Sequence, residues 1–124
     1  MLCKKGKAYR MSVDHKPELD LENNRIQKAK GWVNDYGRIN GNLNLSRTLG
    51  DLEYKNNKNL LPQEQIITAY PDVVVDKIDN ENDFIIIGCD GIWDCIQDQD
   101  ICDLINEELN KEKAKGWVND YGRI

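Results

Sequence analysis

The amino-acid sequence predicts an α+β fold with layered sheets, and three observations support that prediction. Short segments in which apolar and polar residues alternate recur along the chain, as in half-buried strands. The apolar run Phe84-Ile85-Ile86-Ile87 has no polar face, which indicates a strand buried between two layers. Two other segments, near residues 17–31 and 98–109, carry apolar residues at helical spacing. Strands with helices at two places are typical of the α+β class.

Composition excludes several classes of protein. The chain has 124 residues, 40% of them hydrophobic and 31% charged, a balance expected of one globular domain. Its net charge is −5 and no basic cluster exceeds two adjacent residues, which argues against a nucleic-acid partner. No apolar run approaches the roughly 20 residues that span a bilayer, so membrane insertion and a secretory signal are not expected.

The first elements are a strand and a helix. Residues 7–13 alternate loosely and predict a strand. Pro17 suits the first turn of a helix, because its fixed φ and missing N–H do no harm there. That helix is expected to end near Gly31, with one buried face formed by Leu19, Ile26 and Ala29.

The rest of the chain predicts mostly strands. Residues 34–37 are of types common in turns, so a turn is expected there. Leu43 and Leu45 alternate with polar neighbours, as in a half-buried strand. Three further strands are expected at residues 66–70, 73–78 and 84–88, the last two joined by a hairpin turn at 79–82. Asp98 is expected to cap a final helix through Leu109, with a buried stripe formed by Ile101, Leu104, Ile105 and Leu109.

Four cysteines, at positions 3, 89, 95 and 102, show no C-x-x-C pairing. Because clustered histidines are also lacking, a zinc site is not expected. Reduced thiols in a cytoplasmic or nuclear protein are the simpler interpretation.

One segment occurs twice. Residues 28–39, KAKGWVNDYGRI, recur letter for letter as residues 113–124. Two copies 85 residues apart fit no solenoid period, so a recent duplication, a gene rearrangement or an assembly error is the interpretation. The second copy lacks the flanking helix and strand of the first. We therefore expect residues 111–124 to be loosely ordered.

The strongest chemical signal is the segment from Gly88 to Asp94. A buried strand is expected to deliver Asp90 to its carboxyl end, and Gly91 lets the backbone turn or a ligand approach. Asp90 and Asp94 are four residues apart and share one face, where their charges repel unless a cation lies between them. Mg²⁺ or Mn²⁺ prefers such oxygen ligands. The alternative is structural: Asp-Gly is common in hairpin turns, and Asp94 could be a surface residue.

Two further segments offer weaker candidates. Arg47 and Asp51 could form an internal ion pair, or Arg47 could bind phosphate; the ion pair is favoured. The only histidine, His15, follows Asp14, but adjacent residues rarely face each other, which argues against a general acid–base role. No nucleophile, P-loop or G-x-S-x-G motif is present, so no catalytic residue is assigned.

Taken in order, five segments resemble the metal-dependent protein phosphatases, the PPM or type 2C family. Ser12-Val13-Asp14-His15-Lys16-Pro17 matches the family's S-x-D-H-K-P. Residues 38–51, RINGNLNLSRTLGD, are similar to R-[IV]-N-G-x-L-x-[LV]-S-R-A-[LIF]-G-D, and Tyr54-Lys55 follows as in the family. Residues 67–73, ITAYPDV, resemble I-x-[TA]-x-P-[DE]-[VI]. Residues 84–94, FIIIGCDGIWD, resemble F-[IL]-[IVL]-[IL]-A-[CTS]-D-G-[ILV]-W-D.

The resemblance implies a four-layer fold, two packed antiparallel β-sheets flanked by helices, of which this chain holds an incomplete part. Residues 1–110 would be the C-terminal part of the catalytic domain, with a flap at about residues 18–42 that influences substrate choice. Asp90 would bind one of two core Mg²⁺ or Mn²⁺ ions, and Asp94 would lie next to a third, weaker position. The implied reaction is attack of a metal-bridging water on a phosphoserine or phosphothreonine ester of a phosphoprotein.

Departures from the family pattern define two hypotheses. The family's D-G-H-G-G, its phosphate-binding Arg, the G-D-S-R-A segment and a late metal-binding Asp are missing. Lys30 replaces the first Gly of the usual A-G-G, and Thr48 replaces an Ala. The first hypothesis is a phosphatase segment that is inactive alone; the second is a non-catalytic, phosphatase-derived binding or regulatory fragment. Strand edges left uncovered by the missing part would favour self-association.

Overall fold

The computed structural model describes residues 1–114 and divides them into two compact units. One unit contains Met1–Ser12 together with the described part of Val74–Ile124, and the other is Val13–Val73. Strands and helices both occur, so the predicted α+β class is confirmed. Among residues 1–114, no helix has the length and apolar character that crossing a membrane requires.

The first unit is built on a three-stranded antiparallel sheet. Its strands are β1 (Leu2–Lys4), β2 (Lys7–Tyr9) and β3 (Asn82–Ile85), arranged in the order β2-β1-β3. Lys5 and Gly6 join β1 to β2 with φ of 50° and 71°, the left-handed pair that a tight hairpin turn requires. Within the described residues there is this one sheet, where the resemblance implies two.

Two helices complete the first unit, α2 (Asp90–Trp93) and α3 (Asp98–Ala114). The Gln99 side chain fastens α3 to the hairpin, because it accepts from the Ala8 N–H and donates to the Gly6 carbonyl at 3.1 and 2.8 Å. Ile101 and Cys102 face the core, whereas Leu104 is half exposed and lies outside the buried stripe predicted for it. Asp98, predicted as the cap, is the first residue of α3, and the helix runs past its predicted end at Leu109 to Ala114. The Asp98 carboxylate accepts a hydrogen bond from Arg10 at 2.6 Å.

A disulfide joins strand β1 to helix α3 in the first unit. Cys3 on β1 and Cys102 on α3 are bonded, with their Cα atoms 6.2 Å apart, and both side chains are fully buried. Cys89 and Cys95 are free and exposed. The prediction of reduced thiols is therefore wrong for Cys3 and Cys102, because 99 residues separate the pair and only the folded sheet and helix bring them together.

The second unit holds one helix, α1 (Asp20–Lys28), and two 3₁₀ turns at Leu52–Tyr54 and Pro62–Glu64. Its core is small: Ile26, Ile39 and Ile67 are fully buried, and the residues packed against them are Val33, Leu43, Tyr54 and Ile66. Isolated bridges pair Ile39 with Leu43 and Arg47 with Thr68. Helix α1 thus falls inside the predicted helical segment, and Ile26 and the following Ala29 are buried as expected. Leu19, predicted on the same buried face, is instead 43% exposed, because it precedes the first turn of the helix.

The five predicted strands differ in the structure. The strand predicted at residues 7–13 is confined to Lys7–Tyr9, and the one predicted at 84–88 is found at Asn82–Ile85. Residues 43–45 and 66–70 form only the isolated bridges, and residues 73–78 are not a strand, because no neighbouring backbone within residues 1–114 pairs with them as a ladder. The apolar run beginning at Phe84 was predicted to be covered on both faces. Ile86 is buried, but Ile85 and Ile87 are 66% and 92% exposed, so one face of this segment is open.

The structure describes the first copy of the repeated sequence in full and only the beginning of the second. Its first copy, residues 28–39, runs from the end of α1 to the buried Ile39. Residues 111–114 were predicted to be loosely ordered, yet they form the last turn of α3. The remainder of the second copy lies outside the described residues.

Candidate metal site

Asp90 and Asp94 lie at the two ends of the short helix α2. Asp90 opens the helix, and its carboxylate accepts a hydrogen bond from the Gly91 N–H at 2.8 Å. The Asp94 N–H donates to the Asp90 carbonyl at 2.8 Å, which places the two residues one helical turn apart. Both are exposed. The helix therefore offers two carboxylates to solvent from neighbouring positions.

The glycine that this turn requires is Gly88 rather than Gly91. A Cβ atom at Gly88 would lie 3.0 Å from the Ile92 side chain and 3.1 Å from Trp93, and the Trp93 indole N–H donates to the Gly88 carbonyl at 2.9 Å. A Cβ at Gly91 would meet only the Cys89 sulfur, at 3.6 Å. Gly88 thus lets Trp93 fold back over the strand end, while the space at Gly91 remains open.

The donors at this position fit a hard divalent cation but do not complete its coordination. Carboxylate oxygens suit Mg²⁺ and Mn²⁺, which need about six oxygen ligands in near-octahedral geometry. Within residues 1–114, no group of three or more His, Cys, Asp or Glu side chains is placed to hold a metal ion. The described part of the chain therefore does not complete such a site by itself.

A second polar cluster, the arginine network, lies in the Val13–Val73 unit. Arg47 donates to Glu22 through Nη2 at 2.5 Å and to Asp72 through Nη1 at 2.7 Å. Arg25 donates to the other oxygen of Glu22 at 2.5 Å, and His15 Nε2 lies 2.8 Å from Asp72. These five side chains thus form one continuous chain of contacts in which basic and acidic residues alternate. The network joins three of the five family-like segments to α1.

Two sequence candidates, Arg47 and Asp51, were not predicted to bind metal, and the structure places them in different surroundings. Arg47 forms an internal ion pair, as predicted, but its partners are Glu22 and Asp72 instead of Asp51. Asp51 is exposed, has a φ of 48° and accepts the Tyr54 N–H at the start of a 3₁₀ turn. Glu22 was missed. The available signal was its position on the apolar face of α1, in register with Leu19 and Ile26, where a charged residue requires a partner.

The surroundings of Glu22 keep it ionised. Its side chain is 1% exposed. Burial acts to raise the pKa of Glu22, but the hydrogen bonds to the carboxylate, led by that from Arg47, lower the pKa to about 2. Hydrogen bonds from His15 and then Arg47 likewise hold the pKa of Asp72 below its usual value. The carboxylates of Glu22 and Asp72 are therefore ionised at neutral pH, next to the guanidinium groups of Arg25 and Arg47.

Comparison with known proteins extends over nearly the whole chain. The family model described as protein phosphatase 2C matches residues 1–121. A rice protein named "Probable protein phosphatase 2C 11" is 48% identical over 118 residues, which are 95% of this chain and 32% of the relative. "Protein phosphatase 2C homolog 2" of fission yeast is 49% identical over 109 residues, 88% of this chain and 29% of the relative.

A solved structure gives the same result. The crystal structure of a phosphatase from Toxoplasma gondii superimposes with a TM-score of 0.70 at 34% identity, over 90% of this chain and 35% of that one. The chain spans about a third of the length of these relatives. Because the family model covers far more than half of the residues, the chain belongs to the protein phosphatase 2C family.

Proposed function

We propose that residues 1–110 form the C-terminal part of the catalytic domain of a metal-dependent protein serine/threonine phosphatase, with residues 18–42 as its flap. The observation that carries the proposal is the pair of exposed carboxylates, Asp90 and Asp94, on a helix that directly follows the apolar strand segment. That helix lies in the segment that most resembles the family's metal-binding motif.

The two aspartates have different roles in this proposal. Asp90 binds one of two core Mg²⁺ or Mn²⁺ ions, and Asp94 lies beside a third, weaker position. When bound, such ions lower the pKa of a water and offset charge on phosphoryl oxygens. The hydrogen bond from the Gly91 N–H holds the Asp90 carboxylate in one orientation, which reduces the ordering that ion binding requires.

The substrate class follows from the family, and the net charge of the chain makes a bound cation necessary for that substrate. A phosphoserine or phosphothreonine side chain of another protein is a dianion near neutral pH. This chain carries a net charge of −5, which repels such a group. Bound divalent cations would supply the local attraction.

The isolated chain is expected to be inactive, because the ligands described here are too few for two octahedral ions. A graft tests whether the segment is competent. Residues 1–109 would replace the matched segment of the fission yeast relative, and Mn²⁺-dependent hydrolysis of p-nitrophenyl phosphate would be measured. We expect an active chimera that loses at least about 100-fold in kcat/KM on Asp90→Ala, since a core metal ligand is removed.

The matched control is Asp100→Ala, which removes an exposed carboxylate from α3 and should leave the rate unchanged. Turnover of the isolated chain that Asp90→Ala abolishes would contradict the expected inactivity. A folded chimera whose rate survives Asp90→Ala would contradict the metal assignment itself.

A second candidate is a non-catalytic binding fragment, and exposed apolar side chains favour it. In the unit that contains the sheet, Val75 and Ile87 are 87% and 92% exposed, and Ile85 is 66% exposed. Exposed apolar groups favour association with another chain, above all at an edge strand such as β3, which carries Ile85. Sedimentation of the isolated chain separates the candidates: concentration-dependent association that Ile87→Lys removes supports binding, and a monomer at all concentrations rejects it. Leu49→Lys, which changes an exposed residue of the other unit, is the control.

A further inference from the structure

Helix α1 is too short, and at its N-terminus too poorly capped, to be stable without tertiary support. It has nine residues, and its N-terminal flanking residue, Leu19, provides no side-chain cap. Isolated helices shorter than about 12–15 residues are marginal in water. The apolar support beneath α1 is also small, since the buried cluster that includes Ile26 contains only two other fully buried residues, Ile39 and Ile67.

Arg47 supplies a polar connection from α1 to another segment. Its Nε and Nη2 both donate to one oxygen of Glu22, at 3.0 and 2.5 Å. Its Nη1 donates to the Asp72 carboxylate at 2.7 Å and to the Tyr70 carbonyl at 3.2 Å. All three guanidinium nitrogens therefore have acceptors, and the side chain is only 13% exposed.

A second arginine completes the connection from the helix side. Arg25 lies one turn after Glu22 on α1 and shares its carboxylate. It also donates to the Ser46 carbonyl at 2.6 Å and to the Gln65 carbonyl at 3.2 Å. Removal of Arg47 would leave Arg25 as the charged partner of Glu22 among the described residues, in a site from which water is excluded.

We propose that Arg47 is a positioning residue that holds α1 against residues 65–72, and that Glu22 is its attachment point on the helix. The anchor also fixes one wall of a cavity of about 510 Å³, in which Leu21 and Lys28 of α1 face Leu60 and Gln63. The inference rests on the proposed function in one respect only, that α1 belongs to the flap. In that setting Arg47 sets where the flap helix lies.

Amide hydrogen exchange of the 124-residue chain tests the anchor. In Arg47→Gln we expect exchange at Ile26 and Gln27 to accelerate about tenfold or more, because hydrogen bonds to a buried charge are lost. Exchange at Cys3 and Phe84, in the sheet of the other unit, should not change. Arg38→Gln is the control, since Arg38 donates to the Asn42 carbonyl outside the network.

Two further observations distinguish an anchor from general stabilisation. The ring signal of His15, the only histidine, should shift in Arg47→Gln and remain in place in Arg38→Gln, because Arg47 and His15 share Asp72. Arg47→Lys should restore only part of the protection of α1, since one ammonium group does not reproduce the guanidinium's contacts with both carboxylates.

Several results would overturn the proposal. Unchanged exchange at α1, or equal acceleration in both units, shows that Arg47 has no specific anchoring role. If Arg47→Gln does not fold, Asp72→Asn replaces it, because the exposed Asp72 carries one arm of the network. We expect this variant to accelerate exchange at α1 about two- to fivefold, and no acceleration rejects the anchor. Exchange needs no phosphoester, so this proposal and the proposed function can fail separately.

Discussion

Lys30 occupies a backbone position that glycine normally fills. Its φ is 67°, and it follows Ala29, the residue that ends α1. The Gly31 N–H donates to the Ile26 carbonyl and the Lys30 N–H to the Gln27 carbonyl, both at 2.9 Å, which is the hydrogen-bond pattern of a Schellman C-cap. A side chain with positive φ costs about 1–2 kcal/mol relative to glycine. The A-G-G pattern of the family therefore has a conformational cause here.

Lys30→Gly should stabilise the chain. We expect a gain of about 1 kcal/mol in the free energy of unfolding, because relief of left-handed strain exceeds the added entropy of the unfolded chain. Urea unfolding followed by circular dichroism measures it. Lys28→Gly is the matched control; it lies in the last turn of α1 and should cost about 1 kcal/mol. Equal losses in both variants would show that the left-handed position carries no strain.

Glu22 makes stability depend on pH. Its pKa is about 2 in the folded state, below the ordinary value of 4.5, so its ionised form stabilises the fold. That contribution is complete above pH 4.5 and is lost as pH falls toward 2. Its full size is on the order of 3 kcal/mol.

Comparison of the chain with Glu22→Gln isolates this effect. The difference in the free energy of unfolding should be largest near pH 7 and shrink steadily between pH 4.5 and 2. Urea titrations across that range measure the difference. Glu53→Gln, at an exposed glutamate, should show no such trend. A difference that is constant with pH would exclude ionised Glu22 as the stabilising form.

At the residue scale, the sequence nominates metal ligands from local features, and that assignment stays a prediction. Asp90 and Asp94 could be nominated because their spacing and the apolar strand before them are local features. Glu22 and Asp72 could not be paired with Arg47 in advance, because 25 residues separate Arg47 from each of them. Arg47 and Asp51 were the more obvious pair because they lie four residues apart.

At the scale of secondary-structure elements, α3 is tied to the sheet by bonds from several sources. The disulfide between Cys3 and Cys102 joins it to β1, and Gln99 and Asp98 join it to the hairpin and to Arg10. A cross-link over 99 residues removes much entropy from the unfolded chain.

Reduction of this disulfide should destabilise the chain by about 2–4 kcal/mol. Thermal unfolding with and without dithiothreitol measures the loss, and Cys3→Ala should remove the response to reductant. The double variant Cys89→Ser and Cys95→Ser is the control, since both thiols are free and exposed. An unchanged unfolding temperature on reduction would contradict a stabilising role for the bond.

The helices could be predicted from local sequence patterns. The strands were harder to predict, because a strand depends on pairing with a neighbour that is distant in sequence. Helices α1 and α3 were predictable because apolar periodicity and turn residues are local. The strand expected at residues 73–78 was not found, because a strand is defined by the neighbour with which it bonds and none is present among residues 1–114. Ile87 was expected to be buried for the same reason: its apolar character indicates a cover that the described residues do not provide.

At the scale of the whole molecule, the chain is about a third of the length of its relatives and divides into two units. The unit with the sheet carries Asp90 and Asp94, and the other carries the arginine network. The proposed function therefore depends on a metal site to which this chain contributes only some of the ligands. The fold class and family could be inferred from the sequence, whereas the division into units required the structure.

The most direct test of the metal assignment is a Mn²⁺ titration of the isotope-labelled chain by NMR. Bound Mn²⁺ broadens the signals of nearby nuclei, so weak binding by an incomplete site is still located. We expect amide signals at residues 89–95 to broaden first, and Asp90→Ala to abolish that selectivity while Asp100→Ala preserves it. Identical broadening in the chain and in Asp90→Ala would contradict the assignment of Asp90 as a metal ligand.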